Sequence, residues 1–145
     1  MANNMSHNDQ LVAIQTEMLS SCIDAIDESS FNRIYLYAAM TRRLVFFDCV
    51  LTAASGDSLS LPMVVGIDRY KSISKTSFEL LRSYRAKCIA DGVEYPSEIF
   101  GTYDVSRDDY SADYRYDSSI FSADNPNGKT PGDRFDEWKQ HISSL

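Results

Sequence analysis

The chain has 145 residues, 43% of them hydrophobic and 24% charged, a balance that fits one globular domain able to bury roughly two-thirds of its unfolded surface without a disulfide or metal staple. Its three cysteines, Cys22, Cys49 and Cys88, stand far apart in apolar stretches, the opening segment lacks the basic-then-apolar order of a signal peptide, and no apolar run nears a membrane span, so a soluble, cytoplasmic protein is expected. Residues 1–93 carry 10 acids against 9 bases and residues 94–145 carry 11 against 5, which puts almost all of the formal charge of -7 in the last third and disfavours nucleic-acid binding, for which clustered Lys and Arg are needed.

Residues 1–8 read as a flexible leader and 9–145 as a single α+β domain. From Asp9, which can complement a helix N-terminus, Leu11, Ile14, Met18, Cys22 and Ile26 recur at helical spacing, predicting a helix over about 9–28. Phe31–Ala39 alternates as a strand, with Ile34, Leu36 and Ala38 on one face and Arg33, Tyr35 and Tyr37 on the other. A hairpin around Met40–Arg43 leads to the more apolar strand Leu44–Leu51. After the turn formers of 53–58, the apolar run Leu59–Ile67 predicts a third strand, with Pro62 marking an edge or bulge.

Helical spacing returns from Asp68 to Ala90 through Ile73, Ser77, Leu80, Leu81, Tyr84 and Cys88, and Gly92 supplies a stop. Ser97–Val105 and Tyr110–Ser118 read as two more strands; in the second, Ala112, Tyr114 and Tyr116 alternate with Asp113, Arg115 and Asp117. A loop over 123–132 precedes a short last helix to about Ile142, whose Phe135 and Trp138 are spaced to dock on a sheet. The expected fold is an antiparallel sheet of about five strands in the order helix, three strands, helix, two strands, helix, with the helices on one face.

Catalytic signatures are sparse. His7 and His141 lie near opposite ends and read as solvated surface residues, the cysteines form no CxxC pair, and the glycines fit no phosphate-binding fingerprint. No metal, no cofactor and no catalysis is expected. A glycosidase-like acid pair of Asp104 with Asp113 or Asp117 is outweighed by a solvated strand face. The segment 103–124 instead interleaves Asp104, Asp108, Asp109, Asp113, Asp117 and Asp124 with Tyr103, Tyr110, Tyr114 and Tyr116. Tyrosine offers large amphipathic contact area and carboxylates steer a basic partner, so the mixture suits a protein interface.

Several strings resemble the YezG-type immunity proteins, antitoxins of polymorphic nuclease toxins: Phe31-Asn32-Arg33-Ile34-Tyr35-Leu36-Tyr37, Val45-Phe46-Phe47, the Leu80-Leu81 helix ending near Gly92, Tyr114-Arg115-Tyr116-Asp117, and Phe135-Asp136-Glu137-Trp138-Lys139. The resemblance covers roughly 20–138. Phe31 stands where that family tends to have Trp, and Tyr95-Pro96-Ser97 where it tends to have a Pro-Trp pair. The resemblance implies a cognate toxin partner, a basic nuclease domain encoded by an adjacent gene, bound through Tyr103, Asp104, Asp108, Asp109, Asp113, Tyr116, Asp117 and Asp124. Two rival readings are an acidic nucleic-acid mimic that inhibits DNA-binding enzymes, and a small thiol-dependent enzyme.

Overall fold

In a computed structural model, which describes residues 6–144, the chain runs α1 (His7–Ile23), β1 (Phe31–Met40), β2 (Val45–Ala53), β3 (Ser58–Ser60), α2 (Leu61–Val65), α3 (Ile67–Asp91), β4 (Glu98–Asp104), β5 (Asp109–Arg115) and α4 (Pro131–Ser143). The strands form one antiparallel sheet in the order β3-β2-β1-β4-β5. Of the expected leader, residues 1–5 lie outside the described residues, whereas Ser6 is the N-cap of α1, its hydroxyl accepting from the Asp9 amide. The helix therefore begins before Asp9. It also ends sooner than its apolar spacing suggests, because Asp24, Ala25 and Ile26 close it with tight terminal bonds and the Asp27 carboxylate caps a 3-10 turn at Glu28–Ser30.

The alternation in β1 sets the two layers. Ile34, Leu36 and Ala38 join Leu11, Met18, Cys22, Leu81, Tyr84 and Cys88 of α1 and α3 in the larger core, while Tyr35, Tyr37 and Ala39 join Phe135 and Ile142 of α4 in a second one. The helices thus cover both faces, not one. The apolar run after the second turn also departs from its strand reading: only Ser58–Ser60 pairs with β2, and Leu61–Val65 is helical. Pro62 explains this, because a missing N–H and a fixed φ cost nothing in a helix's first turn. Gly66, at φ 88°, then redirects the chain into α3.

Helix α3 presents Ile73, Ser77, Leu81, Tyr84 and Cys88 to the core and stops at Gly92, whose φ of 67° places it in the left-handed region that glycine reaches without strain. On β4, Gly101 leaves room for the Tyr110 ring to cross from β5, since a Cβ there would collide with the ring. Tyr110 thereby reaches α1, its hydroxyl donating to Gln15 Oε1, while Gln15 Nε2 donates to the Leu11 carbonyl and to the Tyr114 hydroxyl.

Helix α4, 13 residues long, would be marginal alone. Thr130 and Asp133 form a reciprocal capping box and Pro131 opens the first turn. Phe135 and Trp138 then close around Tyr37, with ring centroids 5.9 and 6.4 Å away; burial of Phe135 alone stabilises by about 1.5–3 kcal/mol. Beneath them the Glu98 carboxylate, only 2% exposed, accepts from Tyr37 Oη at 2.7 Å and from Arg134 Nε and Nη2 at 2.9 and 3.0 Å. Burial and the neighbouring carboxylate push the Tyr37 hydroxyl's pKa well up, so it stays a donor.

Replacing Arg134→Met should leave a buried unpaired carboxylate and cost about 3–5 kcal/mol. Chemical denaturation followed through Trp138, the chain's single tryptophan, measures the loss. A change below 1 kcal/mol would show that this ion pair does not hold α4.

Candidate functional site

Antiparallel pairing sends the starts of β1 and β5 and the ends of β2 and β4 to one end of the sheet. Ser58, Thr52, Arg33, Asp104 and Asp109 form a continuous rung across all five strands. The turns beyond that rung hold Asp27, Glu28, Asp57 and Asp108. This end therefore gathers Asp27, Glu28, Asp57, Asp104, Asp108 and Asp109 against Arg33 and Arg107, and Arg33 Nε lies 4.0 Å from Asp104 Oδ2.

Local hydrogen bonds favour the ionised form of two of these carboxylates. The Ser29 hydroxyl and amide hold Asp27 below the usual carboxylate range. The Ser106 hydroxyl, at 2.9 Å, does the same for Asp104, helped by the Arg107 amide and by Arg33. Tyr103 is 6% exposed and donates to Asp108 Oδ1 at 2.6 Å; that bond, reinforced by desolvation and nearby carboxylates including Glu28, pushes its pKa up to about 12. Asp108 itself sits at φ 48°, a left-handed turn position that Asp tolerates.

Of the residues singled out in the sequence, Asp104, Asp108 and Asp109 share this acidic end, and the Tyr103 ring lies beneath them in the core. The others are elsewhere. Asp113 projects from β5 into a groove of about 450 Å³ between β4–β5 and α4, walled also by Phe100, Arg115, Glu137, Trp138 and His141. Tyr116, 48% exposed, and Asp117 follow β5 at the far end, roughly 25 Å from Asp109 at the rise of an extended strand. Asp117 accepts from the Ser119 amide and is held below the usual carboxylate range by it. Asp124 stands exposed in the loop before α4. The Tyr/Asp segment is thus divided between two ends of the sheet and one groove.

Sequence reasoning missed Asp27, Glu28 and Asp57, because a count by segment finds the first 93 residues nearly neutral. Their position in turns flanking strands was the available signal. At the opposite end stand Arg42 and Arg43 in the β1–β2 turn, and Arg85, whose Nη1 donates to the Thr41 and Leu44 carbonyls.

His7 is not a free surface residue: its Nε2 lies 2.9 Å from Asp91 Oδ2, tying the start of α1 to the end of α3. Cys22, Cys49 and Cys88 are buried, with the Cys22 and Cys49 sulfurs 3.6 Å apart. Burial pushes the Cys49 thiol's pKa well up, which opposes the thiolate a nucleophile requires. Among the described residues no group of His, Cys, Asp or Glu is arranged to hold a metal ion, and no helix is long and apolar enough to cross a membrane.

No protein-family model matches the chain, and no curated protein matches its sequence. The acidic end and the groove beside α4 therefore rest on geometry and charge alone.

The three thiols should resist alkylation in the native protein and react only on unfolding. Titration with a thiol reagent in buffer and in denaturant measures the difference; one thiol reacting fast under native conditions would revive a thiol-based activity.

Proposed function

We propose that the chain is an immunity protein of the YezG type, which binds and neutralises a basic toxin, a nuclease domain encoded beside it, in the cytoplasm of the producing cell. The observation that carries this reading is the convergence of six carboxylates, four from three separate turns and two from the last rung of β4 and β5, on one end of the sheet, against two arginines. A nuclease surface that grips phosphates is positive, and a partner presenting ordered carboxylates to it associates fast and competes with substrate for the same contacts. The order of elements is the one expected from the sequence, with the Tyr-rich β1 early and the Trp-bearing α4 last.

The buried Tyr103 ring gives this reading a sharper form than the sequence did. Tyr103 orients Asp108 from below, while Asp27, Glu28, Asp57, Asp104 and Asp108 meet the partner directly. Asp113, Asp117 and Asp124 lie too far along the sheet to belong to the same compact contact.

Co-expression with the adjacent gene's product should give a complex that suppresses its toxicity. Reversing Glu28→Lys together with Asp57→Lys should slow association by roughly tenfold or more at low salt, with a smaller effect at high salt. Surface plasmon resonance at two ionic strengths reads this. Because Asp27 and Asp104 are held low, the part of the binding that these two supply should be lost only as pH falls below the ordinary carboxylate value of about 4. A harmless neighbour, or equal inhibition of several unrelated basic nucleases, would favour the nucleic-acid mimic instead.

A further inference from the structure

Among the described residues, strand β5 pairs only with β4 and forms one edge of the sheet. The other edge, β3, has three residues and runs straight into α2, whereas β5 has seven with no proline and no bulge, and is guarded by charge alone, at Asp109, Asp113 and Arg115. Such an edge is a template for another strand. What β5 matches best is itself.

The strand reads Asp109-Tyr110-Ser111-Ala112-Asp113-Tyr114-Arg115. Laid antiparallel on a second copy with the two-fold axis at Ala112, Asp109 faces the other copy's Arg115 twice, Tyr110 faces Tyr114 twice, and Ser111 faces Asp113 twice. A two-fold axis that keeps the sheet faces continuous must pass through a residue, and the neighbouring choices fail. Centring on Ser111 sets Asp109 against Asp113 twice, and centring on Asp113 sets that carboxylate against itself. Like charges directly opposite destabilise a pair, and opposite charges and aromatic pairs stabilise it.

The side chains are available for this role. Asp109, Ser111, Asp113 and Arg115 are exposed, and neither Asp109 nor Arg115 takes part in an ion pair among the described residues. Tyr110, Ala112 and Tyr114 are half-buried against the larger core, with Gln15 bonded to both tyrosines across the position of the axis. A second copy would extend that core from edge to edge.

We infer that the protein forms a two-fold homodimer through antiparallel pairing of β5 with its copy, centred on Ala112, which joins the two sheets into one of ten strands. The occupant of the edge is a second copy of this chain because its charges complement themselves across the whole strand: centring on Tyr114 also sets Asp113 against Arg115, but pairs only three strand residues, whereas centring on Ala112 pairs all seven. The inference is independent of any toxin partner, and no partner is needed to test it.

Sedimentation equilibrium on the full chain should give a dimer. Asp109→Arg alone and Arg115→Asp alone should each give a monomer with an unchanged circular dichroism spectrum. The double variant should dimerise again, and so should an equimolar mixture of the two single variants, since each then offers the charges the other lacks. A wild-type chain that stays monomeric up to high micromolar concentration overturns the inference, as do single variants that remain dimeric, or a double variant and mixture that stay monomeric.

Discussion

The Glu98 carboxylate is the constraint on which the second layer of the molecule depends. An ionised group nearly sealed from water is tolerated only with complete hydrogen bonding, and Glu98 finds it in one phenol and one guanidinium supplied by different elements. Tyr37 comes from the central strand and Arg134 from the first turn of α4, so the helix can sit in one place only. The aromatic contacts around Tyr37 supply attraction, while the ion pair supplies position. With α4 fixed over β1 and β2, its shadow falls short of β5. The open groove holding Asp113 and the bare edge strand both follow from that.

The acidic end arises from a different cause, which is connectivity. Antiparallel strands alternate the ends at which their turns lie, and this chain places the turn before β1, the turn after β2 and the turn after β4 at the same end. Carboxylates that are some eighty residues apart in sequence thereby become neighbours. Serine hydroxyls and turn amides bind Asp27 and Asp104 in their charged forms, which holds these two against repulsion from their neighbours. Mutual repulsion of this kind costs folding stability and is relieved when a basic surface covers it.

Most of the fold was legible because its amphipathic signals were unambiguous. The spacing of Ile73, Ser77, Leu81, Tyr84 and Cys88 admits a helix alone, and the alternation in Phe31–Met40 separates the two cores residue by residue. Leu59–Ile67 was misread because an apolar run of that length fits a buried strand or a short helix equally well, and Pro62 decided for the helix by sitting in its first turn. The side on which α4 packs was hidden, since it rests on the partnership of Glu98 and Arg134 across 36 residues. The site was legible in part: the Asp residues of 104–109 do lie on a surface, but a linear stretch of mixed Tyr and Asp divides once it becomes a strand, and Tyr103 turned inward.

The two surfaces make separate demands on the same acids. In a dimer centred on Ala112, Asp109 and Arg115 satisfy each other across the axis, and Asp113 is drawn toward Ser111 of the other copy. Asp27, Glu28, Asp57, Asp104 and Asp108 are left uncommitted, and they are the carboxylates whose turns project beyond the end of the sheet. Because the pairing is antiparallel, the acidic end of each copy points away from that of the other, so like charges are kept apart. Each copy would still offer its own acidic end to a basic partner, and a dimer could hold two. The division of the Tyr/Asp segment, which looked at first like the loss of one interface, would let one strand serve the proposed self-association while its turn serves the proposed recognition.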